Sequence, residues 1–177
     1  MKTYLTYGLA MALAGAVLTL ALYFLGYHSD PAKIGVAQGI SGIGGLAIGI
    51  TCIVLGTRAR RAELPANELF GYGRALGAGV MIVLFASLFG IVTNLLYITV
   101  INPSMTDITV QAQLDKLEAK GLSGARLEQV EKMTRVMTKA PVQAAFGFLG
   151  GMFFGTIVSL VTAAFLKRPA LDELVAT

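Results

Sequence analysis

The chain has 177 residues, of which 55% are apolar and only 14% are charged, and its mean hydropathy is +0.72. Soluble domains carry about 25% charged residues, so this chain has too few polar side chains to cover a water-soluble globule, and it is too apolar to be disordered. Its single Cys excludes a disulfide framework and a thiolate metal cluster. The composition therefore indicates a membrane protein.

Four long apolar runs predict transmembrane helices, because a helix needs about 20 mostly apolar residues to cross a hydrocarbon core. The predicted spans are approximately 3–27, 34–57, 72–101 and 140–166. We interpret the first run as a retained span, since it is far longer than the apolar core of a signal peptide. The predicted fold class is an all-α integral membrane protein with four transmembrane helices and a polar αα-hairpin between the third and the fourth.

The connections between the spans are unequal. Residues 28–31 form a predicted tight polar turn, with Pro31 starting the second span and His28 expected at the surface beside Asp30. The second connection is a basic elbow, and its arginines are predicted to contact anionic lipid headgroups. They are Arg58, Arg60, Arg61 and Arg74.

The third connection, 104–139, is a polar segment that predicts an extramembrane helical hairpin. Ser104 or Thr106 can cap its first helix, Gly121 ends that helix, and Ser123 can cap the second. Apolar residues at helical spacing are expected to hold the two helices together. They are Val110, Leu114 and Leu117 on the first helix and Leu127, Val130, Met133 and Met137 on the second.

The distribution of Lys and Arg favours a topology with both termini in the cytoplasm. Equal numbers of basic residues fall on the two sides, but those on the predicted inner side lie directly against the spans. The inner set is Lys2, Arg58, Arg60, Arg61, Arg74, Lys167 and Arg168, and the outer set is Lys33, Lys116, Lys120, Arg126, Lys132, Arg135 and Lys139.

Glycine forms two stripes that predict close helix packing, since small residues let membrane helices approach each other. The stripes either pack the bundle internally or form a subunit interface, and a glycine-lined pore or ligand cleft is a third interpretation. On the second span the stripe is Gly35, Gly42, Gly49 and Gly56 with Gly39 interleaved, and on the last span it is Gly147, Gly151 and Gly155.

The predicted spans contain polar side chains but no ionisable residue near their centres. Proton-coupled transporters generally use intramembrane acids or bases, so that class is disfavoured. Gln38, Thr93 and Asn94 are the main intramembrane polar candidates. We expect Asn94 to face another helix, where a hydrogen bond would satisfy its amide.

The chain resembles a bacterial membrane family catalogued as domain of unknown function 4199. The resemblance implies four spans with a helical hairpin before the last and supplies no activity; the aromatic-poor hairpin departs from the family's pattern. It rests on Phe70-Gly71, Ala75, Gly79, Asn102-Pro103, Gln113-Leu114, Leu117, Gly121, Glu131-Lys132-Met133, Pro141, Gly155, Ser159-Leu160-Val161 and Lys167-Arg168, with Tyr7-Gly8, Gly56 and Arg58 matching more loosely.

Two functional hypotheses follow. In the first, the chain is a non-enzymatic oligomeric or accessory subunit of a bacterial inner membrane, whose 104–139 hairpin contacts a partner or a second copy. In the second, it is a small oligomeric channel or passive carrier. We expect contact with membrane lipids, and no catalytic residue, cofactor, metal or nucleic acid. Residues expected to line a route in the second hypothesis are Gln38, Ser41, Thr93, Asn94 and Gln143.

Overall fold

The computed structural model describes residues 1–65 and 67–168. Within these residues the chain forms six α-helices and no strand, and four segments are long and apolar enough to cross a membrane. The predicted all-α fold class is therefore confirmed. The helices are α1 (Lys2–Phe24), α2 (Ile34–Ala62), α3 (Tyr72–Leu96), α4 (Met105–Glu118), α5 (Ala125–Met137) and α6 (Ala140–Leu166).

Two short elements extend the spans. A 3₁₀ turn, Pro31–Lys33, precedes α2, and the Asp30 carboxylate accepts a hydrogen bond from the backbone N–H of Ala32 at 3.0 Å. A π-helix, Tyr97–Ile101, continues α3. The second span was predicted to end near residue 57, but α2 continues into the elbow and ends at Ala62.

The first helix ends at Phe24, three residues before the predicted boundary, through a glycine cap. Gly26 has a φ of 78°, and the backbone N–H of Tyr27 donates to the Leu22 carbonyl at 2.9 Å. This backbone pattern is a Schellman motif, in which a left-handed residue stops the helix. Gly121, with a φ of 84°, terminates the segment after α4 in the same way.

Helix α3 packs against each of the other three spans, most extensively against α6 and α1, whereas α1 and α6 are not packed against each other. Because successive spans run in opposite directions, the bundle has two ends. The elbow end carries the α2–α3 connection, and the hairpin end carries α4 and α5. Helix α4 contacts the 3₁₀ turn and α2, and α5 contacts α4 and α6.

The last span is joined to the elbow by backbone hydrogen bonds. The N–H of Phe70 donates to the Arg168 carbonyl at 3.1 Å, and the N–H of Arg168 donates to the Phe70 carbonyl at 2.8 Å. The Phe70 side chain is buried and packs with Ala75, Ala78 and Ala163. The elbow end is thus closed by main-chain pairing over a small apolar cluster.

Candidate functional site

Glycines bring the helices into close contact at the elbow end and the middle of the bundle. A Cβ placed on Gly56 would lie 2.5 Å from Ile82 Cδ1 and 2.9 Å from Tyr7 Cγ, and one on Gly155 would collide with Val83. Gly151 lies against Ser87, and Gly49 lies close to Met11. Four of the predicted stripe positions therefore face neighbouring helices of the same chain.

Other stripe positions have no such neighbour. No atom of the described residues comes within 4 Å of a Cβ placed on Gly39, Gly42 or Gly147, and one on Gly35 would meet only the Lys116 Nζ at 3.5 Å. Internal packing therefore does not apply at these three positions. Gly39 and Gly42 lie on the exposed side of α2, whose other side packs against Leu18 of α1 through Gly44. Gly147 faces open space, because the helices around it diverge toward the hairpin end. A subunit interface at these glycines stays a prediction.

Three tightly packed glycines lie outside both predicted stripes. A Cβ on Gly8 would lie 2.6 Å from Phe85 Cβ, one on Gly44 would lie 2.7 Å from Leu18 Cδ2, and one on Gly79 would lie 2.5 Å from Ser159 Oγ. None of the three belongs to either stripe, so periodicity could not reveal them. Gly8 and Gly79 match the family resemblance, and Gly44 carries no sequence signal.

The divergence of the helices leaves a cleft of about 510 Å³ in the half of the bundle near the hairpin. Its walls come from α1, α2, α3 and α6, and the lining contains no Asp, Glu, Lys, Arg or His. A volume of this size falls within the range of about 300–1,000 Å³ typical of small-molecule sites.

Polar groups in the cleft concentrate toward the hairpin end. The contacts of Gly155 with Val83 and of Gly151 with Ser87 set the register of α6 against α3. Extending that register by two helical turns places Gln143 level with Asn94. The deeper wall is mostly apolar and includes Met11, Ala12, Val83 and Ala86, with Ser87 beside Gly151. The cleft therefore has a mostly apolar floor and a polar upper part.

The structure brings together four of the five residues predicted to line a route and leaves one outside. Gln38 is exposed on α2 and is not part of the lining. The Thr93 hydroxyl donates to the Gly90 carbonyl at 3.1 Å, whereas the Asn94 and Gln143 amides have no side-chain hydrogen-bond partner among the described residues. The residues that share the cleft are Ser41, Thr93, Asn94 and Gln143.

A buried polar network closes the hairpin end beside the cleft. The Tyr97 hydroxyl lies 2.5 Å from His28 Nδ1, and the Asn102 amide donates to the Tyr97 oxygen and to the His28 carbonyl, each at 3.2 Å. His28 is 5% exposed and Tyr97 6% exposed. The expectation of a surface His28 is therefore wrong, because the π-helix carries Tyr97 over the turn and covers the ring.

The environment of His28 favours its neutral form. Burial lowers the pKa of His28 below its ordinary value near 6.5. Because Asn102 donates to the Tyr97 oxygen, the phenolic hydrogen can be donated to Nδ1, which is unprotonated in this arrangement. Sequence reasoning missed Tyr97 and Asn102, since nothing in their spacing links them to a residue about 70 positions earlier.

The basic elbow is mostly engaged in contacts within the chain. The Arg60 guanidinium donates to Glu63 at 2.6 Å and to the Tyr4 hydroxyl at 3.0 Å. Hydrogen bonds from the Thr3 hydroxyl and then from Arg60 hold the pKa of Glu63 below its usual value.

Of the remaining elbow arginines, Arg61 and Arg74 also make contacts within the chain, and Arg58 does not. Arg61 donates to the Leu166 carbonyl at 3.3 Å, and Arg74 donates to Glu68 at 2.6 Å and to the Leu69 carbonyl at 2.8 Å. Arg58 is exposed and has no hydrogen-bond or ion-pair partner among the described residues. Contact with anionic lipid stays a prediction for all four arginines.

The extramembrane helices expose apolar surface on α5. Val110 on α4 is buried, but α5 has no buried residue. Met133 is 63% exposed, Val136 48% and Met137 43%. The expectation that Met133 and Met137 hold the two helices together is therefore wrong. The less exposed positions on α5 are Leu127, Val130, Glu131 and Thr134.

Across residues 1–65 and 67–168, no three His, Cys, Asp or Glu side chains come together to form a possible metal site. Four span-length helices and two further helices at one end define a polytopic helical membrane protein. The family model described as Protein of unknown function (DUF4199) matches residues 6–168, so the chain belongs to that family and the resemblance is confirmed. No curated protein and no solved structure matches the chain.

Proposed function

We propose that this chain is a non-enzymatic accessory or scaffold subunit of a membrane assembly and that α5 binds a partner protein. The observation that carries the proposal is the apolar stripe of Met133, Val136 and Met137 on a helix outside the membrane spans. No other element within the described residues covers this stripe. Exposed apolar patches on otherwise polar surfaces commonly mark protein interaction sites.

The support of α5 makes the stripe a defined surface. Arg135 donates to Asp107 on α4 at 3.0 Å and to Glu131 on its own helix at 2.9 Å. Helix α4 in turn packs on the 3₁₀ turn and on α2. Exposed ion pairs contribute only about 0–1 kcal/mol each, so the apolar contact of α4 with the bundle is the main support.

The location completes the proposal. We assign the chain to the bacterial inner membrane with both termini in the cytoplasm, which puts α4 and α5 on the opposite side. The support for this orientation is that Arg58, Arg61 and Arg168 lie at the elbow end, directly against the spans. A partner would then have to reach α5 from the non-cytoplasmic side.

A photocrosslinking residue placed at position 136 tests the proposal against one placed at Glu128, which lies on the side of the same helix opposite Met137. We expect position 136 to yield a protein adduct from intact membranes and position 128 to yield little. The double variant Met133→Gln/Met137→Gln should abolish that adduct, whereas Glu128→Gln/Lys132→Gln should retain it. Adducts with lipid alone from position 136 would contradict the proposal, and an adduct with a second copy would make the chain a homo-oligomer.

A second candidate, a passive carrier, is favoured by the cleft that Ser41, Thr93, Asn94 and Gln143 share. A channel through a single chain is disfavoured, because Gly8, Gly56, Gly79 and Gly155 close the bundle below the cleft. Solute flux in liposomes containing the purified chain tests this candidate. Flux that is abolished by Asn94→Leu and unaffected by the α5 variants would favour the carrier over the accessory subunit.

A further inference from the structure

The cleft near the hairpin end has the polarity profile of a binding site for a membrane amphiphile. We propose that it binds an uncharged amphiphile drawn from the bilayer, whose apolar body lies against Met11 and Val83 and whose polar group lies between Asn94 and Gln143. This inference concerns residues that the proposed contact through α5 does not use.

The lining determines the charge of the ligand. No Asp, Glu, Lys, Arg or His contributes to the wall, and an unpaired charge inside a membrane span is strongly unfavourable. A carboxylate or an ammonium group would therefore remain outside, at the headgroup layer. The ligand class that fits carries hydroxyl, carbonyl or ether groups.

The side-chain amides of Asn94 and Gln143 require that the ligand carry a polar group. Asn94 and Gln143 each present a donor and an acceptor, and neither has a side-chain partner among the described residues. Polar groups left unpaired in an apolar environment are unfavourable, so an alkane or a bulk acyl chain would leave this requirement unmet. A hydroxyl can donate to one amide and accept from the other.

The surroundings determine the route of entry. The cleft lies between spans, and α1 and α6, which both line it, are not packed against each other. Gly45 and Gly147 also line it, and a Cβ on either would meet nothing within 4 Å. An amphiphile in the surrounding lipid can therefore reach the cleft laterally, without crossing the hairpin end.

A photoreactive long-chain alcohol tests the proposal on the full chain in nanodiscs. We expect saturable labelling of peptides from the cleft, displaced by excess unlabelled alcohol but not by the alkane or the carboxylate of the same chain length. Gly45→Leu and Gly147→Leu fill the cleft and should reduce saturable labelling about tenfold or more, since about 1.4 kcal/mol of lost binding already gives that factor. Asn94→Leu should weaken binding about two- to tenfold, the loss expected for one hydrogen bond.

Matched glycines provide the controls. Gly42 on α2 and Gly150 on α6 are equally open but do not line the cleft, so Gly42→Leu and Gly150→Leu should label like the parent chain.

Equal labelling of all variants without displacement would mean that the probe labels the chain from bulk lipid only, and would overturn the proposal. Loss of a dimer in Gly147→Leu, with no effect on labelling, would assign the cleft to a second copy and would also overturn it. The α5 variants should leave labelling unchanged, so the two proposals can fail independently.

Discussion

The Tyr97 hydroxyl and His28 Nδ1 lie 2.5 Å apart, joining the end of the third span to the turn between the first two. Their rings also meet edge to face, with centroids 5.7 Å apart. Asn102 completes the contact by donating to both the Tyr97 oxygen and the His28 carbonyl. The end of the third span and the turn between the first two are therefore fixed to each other by one buried polar network.

This network makes stability at the hairpin end depend on pH. Because burial lowers the pKa of His28, the unfolded chain binds a proton at a higher pH than the folded chain does. We expect the stabilising contribution to be complete above about pH 6.5, the ordinary value for histidine, and to be lost as the pH falls from there through the lowered folded-state value. Thermal denaturation in detergent between neutral and mildly acidic pH measures this loss.

Two variants control the pH experiment. His28→Gln keeps a hydrogen-bonding side chain but cannot titrate in this range, so its stability should not change between neutral and mildly acidic pH. Tyr97→Phe removes the hydroxyl and should destabilise the protein at neutral pH by about 1 kcal/mol, the usual contribution of one hydrogen bond. A parent chain whose stability is flat across this range would contradict the assigned role of His28.

Substitution of two glycines on the same helix tests where the bundle is tightly packed. Gly56→Leu inserts a side chain against Ile82 and Tyr7, and overpacking costs typically about 1–3 kcal/mol. We expect a lower melting temperature for this variant in detergent. Gly42→Leu, which faces open space, should melt like the parent chain. Equal destabilisation by both would show that Gly42 also faces a close neighbour, against this structure.

The buried hydroxyl of Thr57 provides a third test. Thr57 is fully buried, and its Oγ1 has no hydrogen-bond partner among the described residues. Thr57→Val replaces the hydroxyl with a methyl group of similar shape, so we expect the free energy of unfolding to rise by about 1 kcal/mol. In contrast, Ser159→Ala should lower it, since the Ser159 hydroxyl donates to the Gly155 carbonyl at 2.7 Å. Destabilisation by Thr57→Val would reveal a partner for this hydroxyl.

Membrane orientation is tested by single cysteines in a Cys52→Ala background. We expect a cysteine at Asn67, in the elbow, to be protected from an impermeant thiol reagent in intact cells, and a cysteine at Ser123, between α4 and α5, to react. Permeabilised cells should label both positions and thus provide the control for accessibility. The reverse pattern would invert the proposed topology.

The sequence was sufficient to predict the four spans because hydrocarbon imposes a length and a polarity that can be counted residue by residue. Seven-residue spacing identified Gly49 and Gly56, which do face other helices. The same spacing included Gly42, which is exposed, because periodicity gives the residues along one helix and not the positions of its neighbours. Which side of a helix is covered is a property of the helix pairs together.

The polar network and the cleft were harder to predict for a related reason. His28 is close to Tyr97 only after α2 and α3 have crossed the membrane and returned, so no local pattern indicates the pair. Ser41, Thr93, Asn94 and Gln143 could be selected as intramembrane polar groups, but their convergence depends on the register of α6 against α3. Local chemistry predicted the groups, and tertiary register determined which of them meet.

The backbone pairing of Phe70 with Arg168 has a mechanical consequence for the whole bundle. Because this pairing and the glycine contacts above it fix α3 and α6 at one end, relative rotation of these helices pivots there. Displacement then grows with distance from the pivot and is largest beside the π-helix. A given angular change between α3 and α6 would therefore alter the width of the cleft more than the spacing at Gly155.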